Sequence, residues 1–167
     1  MTRVFETRRS VILAGAAAGT ALAMPALIRP AQAAGLAPTP TMRGGANNYR
    51  PGAPLVERIG GGGFTLSGTV RRAGDGAALP GVRIQMWAHT TEGHERDERS
   101  HGATLTDENG VFTMDMPQIV PAFGQPHGHL AYDADFDDNG YKTVFLRPIM
   151  DSARDTSLTT HFVLEPA

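Results

Sequence analysis

Two histidines separated by one glycine, His127 and His129, are the side chains of this sequence best placed for chemistry. On an extended strand, residues i and i+2 point to the same face, so the two imidazoles would stand side by side. Neutral imidazole is a common ligand of transition metals. The pair therefore predicts a metal site on one face of a strand, with His127 and His129 as ligands.

The elements that would position this pair are short strands. Apolar residues alternate with other residues, turn signals separate the segments, and no segment has a long helical period. Strands are predicted at residues 64–70, 82–87, 104–106, 111–116, 127–132, 142–146 and 161–164. About seven strands without substantial helices predict an all-β fold, a two-sheet β-sandwich with Greek-key-like connections.

The chain divides into three parts. Residues 1–33 read as an export signal, because arginines precede a short apolar stretch and the small-residue cleavage site Ala31-Gln32-Ala33. Residues 34–63 are rich in glycine and proline and predict an arm or linker, and the four glycines at 60–63 predict a flexible spacer. Residues 64–167 form the predicted β-sandwich domain.

The composition excludes some partners and some metal ligands. The chain has 15 basic and 17 acidic residues, and residues 34–167 keep 11 and 16 of them, a net charge of −5. No basic patch is present, so nucleic acid is a poor partner, and no stable membrane anchor is expected after signal cleavage. The sequence has no cysteine, so a metal must be bound by His, Asp, Glu, Tyr or water. A monomer and a homo-oligomer both remain open.

Four blocks of the sequence resemble, in order, the core of the intradiol ring-cleavage dioxygenases, the catechol and protocatechuate dioxygenase family. They are Leu66-Ser67-Gly68-Thr69-Val70, the strand from Pro80 to Trp87, the hairpin Thr106-Asp107-Glu108-Asn109-Gly110, and His127-Gly128-His129. The resemblance covers about residues 64–164. Transthyretin-like and carboxypeptidase-regulatory-like modules share the first three blocks. The resemblance to the dioxygenases in particular therefore depends on Trp87 combined with the histidine pair.

The resemblance implies a β-sandwich and an activity. In that family two tyrosinates, two histidines and a hydroxide hold Fe(III), and a catechol bound to the iron is opened by O2 between its two oxygenated carbons. His127 and His129 match the two histidines of the family. The resemblance thus implies iron as the cofactor and a small aromatic molecule with O2 as the substrates.

The other site residues of the family do not match. Near the first tyrosine position this sequence has His94 or Glu95, and near the second it has Phe123, which offers no oxygen donor. Gln125 stands where the family has an active-site arginine, and it is the candidate catalytic residue.

This departure changes the expected metal. Phenolates favour Fe(III), whereas imidazole and carboxylate favour a divalent ion. With His94, Glu95 or His101 beside the histidine pair, the site would suit Fe(II), Zn(II), Mn(II) or Cu(II). The alternative is that His94 and His101 are ordinary residues of a charged, solvated loop. For His89, His101 and His161 a structural role is the favoured interpretation.

Three functions are compatible with these residues. The first is an exported, metal-dependent dioxygenase acting on catechol-type aromatics. The second is a non-catalytic periplasmic binding or structural module that retained the fold and lost the iron chemistry. The third is a transthyretin-like hydrolase that uses a metal-bound water. The fold does not choose among them.

A second cluster, in the segment 133–140, is acidic. Asp135, Asp137, Asn139 and Gly140 match the first half of a calcium-binding loop, but its twelfth position is Leu146 and the bidentate glutamate is missing. Asn139-Gly140 also suits a hairpin turn, which is the favoured interpretation.

The sequence Thr7-Arg8-Arg9-Ser10-Val11-Ile12 resembles a twin-arginine export signal. It predicts a periplasmic or secreted protein that is exported by the Tat pathway. An ordinary secretory signal is the alternative.

Replacing both Arg8 and Arg9 with lysine is expected to leave unprocessed precursor in the cytoplasm, because the export receptor reads the arginine pair. Cell fractionation and immunoblotting measure this. Replacing Arg3 and Arg29 instead is the matched control and should leave processing unchanged. Normal processing of the Arg8 and Arg9 variant would indicate the general secretory route.

Overall fold

A computed structural model describes residues 35–137 and 139–167. The export signal and the twin-arginine motif lie outside the described residues. Within them the chain forms seven strands in two sheets, with one short 3-10 turn at Glu98–Ser100, so the predicted all-β sandwich is confirmed. The strands are β1 (Gly63–Arg72), β2 (Arg83–Ala88), β3 (His101–Leu105), β4 (Val111–Pro117), β5 (Gly128–Tyr132), β6 (Val144–Leu146) and β7 (Ser157–Leu164).

The two sheets contain three and four strands. The first has the order β4-β1-β7 and the second the order β3-β2-β5-β6. β1 and β7 are parallel, while the other pairs are antiparallel. Gly68 lies opposite Thr160 in the β1–β7 pair, and a Cβ atom there would come within 1.6 Å of the Thr160 carbonyl oxygen. The first strand therefore requires glycine at this position.

The core lies between the sheets and uses the alternating side chains that the sequence indicates. One face of every strand except β3 supplies it, with Leu66 and Val70 from β1, Ile84 and Met86 from β2, and Leu130 from β5. Burial of this apolar surface is the main favourable term in the folding free energy.

The central strands of the four-stranded sheet are buried on both faces. Every residue of β2 and of β5 is buried, including Trp87 and His129, which point away from the core. The cover on this outer face includes the segment that the sequence predicts as an arm or linker. Residues 35–63 belong to the same compact unit as the strands.

This segment is held mainly through its backbone. Pro54 and Val56 flank a short parallel bridge to β3, in which Ala103 donates to the Pro54 carbonyl at 2.8 Å and Val56 donates to the Ala103 carbonyl at 3.0 Å. Thr39 and Val163 of β7 exchange two more hydrogen bonds, at 2.9 and 2.8 Å. Backbone pairing of this kind leaves no hydrophobic period in the sequence, which is why the pattern suggested a linker.

The four glycines at 60–63 also have a defined conformation. Gly60, Gly62 and Gly63 have positive φ angles of 54°, 79° and 111°, and the Gly61 amide donates to the Glu92 carboxylate at 3.1 Å. The run therefore makes a defined turn into β1 rather than a spacer, since positive φ is readily accessible only to glycine.

Strand bounds differ from the predicted ones at the ends. β5 begins at Gly128, and His127 makes an isolated bridge with Ile149 instead. β7 begins at Ser157, ahead of the predicted start at 161. Leu158 is the one apolar residue of its first half, which gives too weak an alternation to predict a strand there. No helix among the described residues is long and apolar enough to cross a membrane.

Replacing Trp87 with alanine is expected to lower the free energy of unfolding by about 3–5 kcal/mol, because the ring leaves a large cavity. Trp87 is 0% exposed. Phe123→Ala is the matched control, since Phe123 is 79% exposed, and its cost should stay below about 0.5 kcal/mol. Chemical denaturation of the metal-free protein measures both. Equal losses in the two variants would contradict the packing role of Trp87.

Candidate metal centre

Three buried side chains, Glu95, His127 and His129, bring one donor atom each to a common point. The Nε2 atoms of both histidines lie 3.5 Å from Oε2 of Glu95. The exposed fractions of the three side chains are 3%, 2% and 0%. These distances are longer than a normal hydrogen bond, so neither histidine is hydrogen-bonded to the Glu95 carboxylate.

Backbone carbonyls orient the two imidazoles. Nδ1 of His127 lies 2.8 Å from the Gln125 carbonyl oxygen, and Nδ1 of His129 lies 3.1 Å from that of Gly45. These contacts assign a proton to each Nδ1, which leaves the Nε2 lone pairs directed at Glu95. Metal-binding histidines are held in this way by a partner on the other ring nitrogen.

Glu95 is oriented by the glycine- and proline-rich segment. The side-chain amide of Asn48 donates to Oε1 of Glu95 at 2.7 Å, so the other carboxylate oxygen faces the histidines. Asn48 has a φ angle of 59°, a conformation that asparagine tolerates better than most residues.

Two of the donor atoms have no hydrogen-bond partner. They are Oε2 of Glu95 and Nε2 of His129, and both are buried. A buried polar atom without a partner costs about 1–3 kcal/mol. Burial also lowers the pKa of His129, which keeps its imidazole neutral. A cation between these atoms would satisfy both.

The donor set fits a divalent metal ion. Two donors bound to one ion at about 2.1 Å lie at most about 4.2 Å apart, and the Nε2-to-Oε2 separations of 3.5 Å are within that limit. Two imidazoles and one carboxylate suit Fe(II), Zn(II), Mn(II) or Cu(II), whereas Fe(III) prefers harder, anionic oxygen donors.

Trp87 fixes the ring of His129. The two rings stack with centroids 5.1 Å apart and an interplanar angle of 8°. On its other side Trp87 stacks on His101 at 5.6 Å and 11°, and its Nε1 donates to the Asn47 carbonyl at 2.9 Å. The register that places Trp87 opposite His129 is that of β2 and β5.

No other histidine of the described residues belongs to this group, and this includes the candidate ligands His94 and His101. The His94 ring lies 4.8 Å from that of His89, and its Nδ1 accepts the Arg96 amide. The two ring nitrogens of His101 contact the carbonyls of Asp97 and Asn48. His161 lies on β7 of the other sheet.

The candidate catalytic residue Gln125 is exposed, and it contributes its backbone carbonyl to His127. Phe123, near the second tyrosine position of the family, is 79% exposed. The sequence could suggest Glu95 and the histidine pair, but no pattern signalled the roles of Gly45, Asn47 and Asn48.

The tyrosines have other neighbours. Tyr49 folds onto the outer face of the sheet, where its hydroxyl donates to Asp133, and burial together with that carboxylate raises its pKa. The phenol is thus protonated at neutral pH. The hydroxyl of Tyr132 donates to the Asp137 carbonyl at 3.0 Å, and Tyr141 packs against Tyr132.

The acidic segment makes hydrogen bonds within the protein. Asp133 accepts the Asp135 amide at 3.0 Å, and Asp137 accepts the Arg83 amide at 2.7 Å. Gly140 has a φ angle of 75°, as a turn with glycine at this position requires. Two of its carboxylates thus hold neighbouring backbone in place.

Comparison with known proteins identifies the fold. The structure is similar to that of 3-chlorocatechol 1,2-dioxygenase from Rhodococcus opacus 1CP, with a TM-score of 0.53 and 20% identity over 71% of this chain and 69% of that one. The structure is also similar to that of hydroxyquinol 1,2-dioxygenase from Pseudomonas putida DLL-E4. The TM-score is 0.56 and the sequence identity 14%, over 79% of this chain and 68% of that one. The fold is shared with intradiol dioxygenases.

A third similar structure is the dioxygenase domain of a dioxygenase and carbohydrate-binding protein fusion from Streptomyces sp. SirexAA-E. It has a TM-score of 0.55 and 20% identity, over 78% of this chain and 100% of that domain. No protein-family model matches the sequence, and no curated protein matches it. At these identities the similarity shows the fold alone.

Replacing His129 or Glu95 with alanine is expected to weaken metal binding by more than the roughly 10–100-fold that loss of an outer-shell partner costs. Titration of the metal-free protein with Zn(II) or Fe(II), read by calorimetry, measures the affinity. His94→Ala is the matched control and should bind as the parent does. Stoichiometric metal in a double His127→Ala and His129→Ala variant would contradict the site.

Proposed function

We propose that the protein is an exported metalloprotein in which Glu95, His127 and His129 bind a divalent ion, and that it is an oxidoreductase of the intradiol dioxygenase type acting on catechol-like aromatics with O2. The observation that carries the proposal is the meeting of three buried donors, two of them without a hydrogen-bond partner. The shared fold supports the reaction class.

Each residue of the centre has a part in this proposal. The ion, when bound, would supply a Lewis-acidic position for the two catechol oxygens and exchange electrons with O2. His127, His129 and Glu95 hold it, Trp87 keeps the His129 ring in place, and Asn48 orients the carboxylate. Because no phenolate joins the donors, iron would be held in its divalent form.

One observation favours the second candidate, a non-catalytic binding or structural module. The ligand side chains are at most 3% exposed, and Gly45 and Asn48 hydrogen-bond directly to His129 and Glu95. A catechol would reach the ion only if the residues that bury these side chains moved. A closed site of this kind is typical of structural metal centres.

The proposed function includes export of the protein by the twin-arginine route. It rests on the arginine pair Arg8 and Arg9 and on the cleavage site at Ala31-Gln32-Ala33. Because that route carries folded proteins, the ion would be acquired before export.

Oxygen uptake by the Fe(II)-loaded protein tests the activity. Catechol should be consumed with O2, whereas phenol and 2-methoxyphenol should be inert because they cannot chelate through two oxygens. Glu95→Gln is expected to reduce the rate at least tenfold, and His94→Ala should leave it unchanged. Metal-loaded protein that binds catechol but consumes no O2 would favour the binding module.

A further inference from the structure

An open pocket lies against the side chain of His101. Its volume is about 760 Å³, and its walls come from residues 50–60 and 96–101. Four arginines line it, Arg50, Arg58, Arg96 and Arg99, against only two acidic residues, Asp97 and Glu98. Residues 34–167 carry 11 basic and 16 acidic residues, so this concentration of positive charge is a local feature of an acidic protein.

Two of these guanidinium groups are free to bind a ligand. Among the residues that the structure describes, the side chains of Arg58 and Arg96 have no hydrogen-bond or ion-pair partner. Arg99 lies 3.8 Å from the Asp97 carboxylate, a distance that leaves the contact weak. Guanidinium groups bind carboxylates through two parallel hydrogen bonds, which selects for a planar oxyanion.

The pocket also has an apolar wall. Ile59 is 4% exposed and Val56 is half-buried, and both line it. Small-molecule sites combine an apolar lining with a few charged groups that fix orientation. An inorganic anion would use the arginines but leave this wall in contact with water.

Hydrogen bonds hold the two walls together. The ring nitrogens of buried His101 contact the carbonyls of Asn48 and Asp97, at 3.0 and 2.9 Å, and so join the two segments at the base of the pocket. At the rim, the Arg50 guanidinium donates to the Arg96 carbonyl at 2.7 Å. A site whose walls are joined in advance loses less entropy when it binds.

We propose that this pocket binds an organic carboxylate with an apolar body, its carboxylate held by Arg58 and Arg96 and its body resting on Val56 and Ile59. None of the three donors Glu95, His127 and His129 lines the pocket, although Arg96 follows Glu95 directly in the sequence. The proposal therefore does not rest on the proposed function.

Calorimetric titration of the purified protein with 2-naphthoate tests the proposal. Naphthalene-2-methanol has the same body without the charge, and inorganic phosphate has charge without the body. Both should bind at least tenfold more weakly than 2-naphthoate. Added salt should weaken 2-naphthoate binding because the arginines are exposed.

Matched variants locate the site. The double variant Arg58→Gln and Arg96→Gln should lose at least tenfold in affinity for 2-naphthoate. The double variant Arg43→Gln and Arg154→Gln, at exposed arginines outside the pocket, should bind as the parent does. Melting temperatures within a few degrees of the parent show that the variants are folded.

Three results would overturn the proposal. They are equal binding of 2-naphthoate and the alcohol, phosphate binding as tight as that of 2-naphthoate, and equal affinity of the two double variants. The His129→Ala variant separates this proposal from the metal centre, because it should lose the metal and keep 2-naphthoate binding. Loss of both would contradict the independence of the pocket.

Discussion

The buried carboxylate of Glu95 is the constraint around which the four-stranded sheet is arranged. A charged oxygen out of contact with water is costly unless a donor or a cation faces it. Asn48 supplies one donor, and the two imidazoles present lone pairs rather than protons. A positive ion between this oxygen and the two Nε2 atoms would satisfy the remaining oxygen. The contacts that order the site therefore also leave it able to bind a metal.

The segment before the first strand is therefore part of the site. Gly45 and Asn48 provide polar contacts to His129 and Glu95, and Asn47 accepts the indole proton of Trp87. These contacts replace water on the outer face of β2 and β5, and a lower local dielectric strengthens every electrostatic interaction there. The donors enclosed there are two imidazoles and one carboxylate.

The sequence predicted the sandwich because apolar alternation records which face of a strand is buried. It also predicted that His127 and His129 lie side by side, and both reach Glu95 although β5 begins one residue after His127. Residue spacing could not decide whether His94 or Glu95 faces the histidine pair, because adjacent loop residues point in different directions. Glu95 is held in place by Asn48, which is distant in the sequence. Contacts made by carbonyls, such as those of Gly45 and Gln125, leave no trace in side-chain type.

The pairing of β7 with β1 and with the segment before it has a consequence for folding. β1 hydrogen-bonds in parallel to β7, and Thr39 exchanges two hydrogen bonds with Val163. The three-stranded sheet cannot close until β7 has been synthesised, and closing the long loop between β1 and β7 slows folding. Until β7 pairs, Phe162 and Leu164 are missing from the core, and that part of the sandwich is open to water.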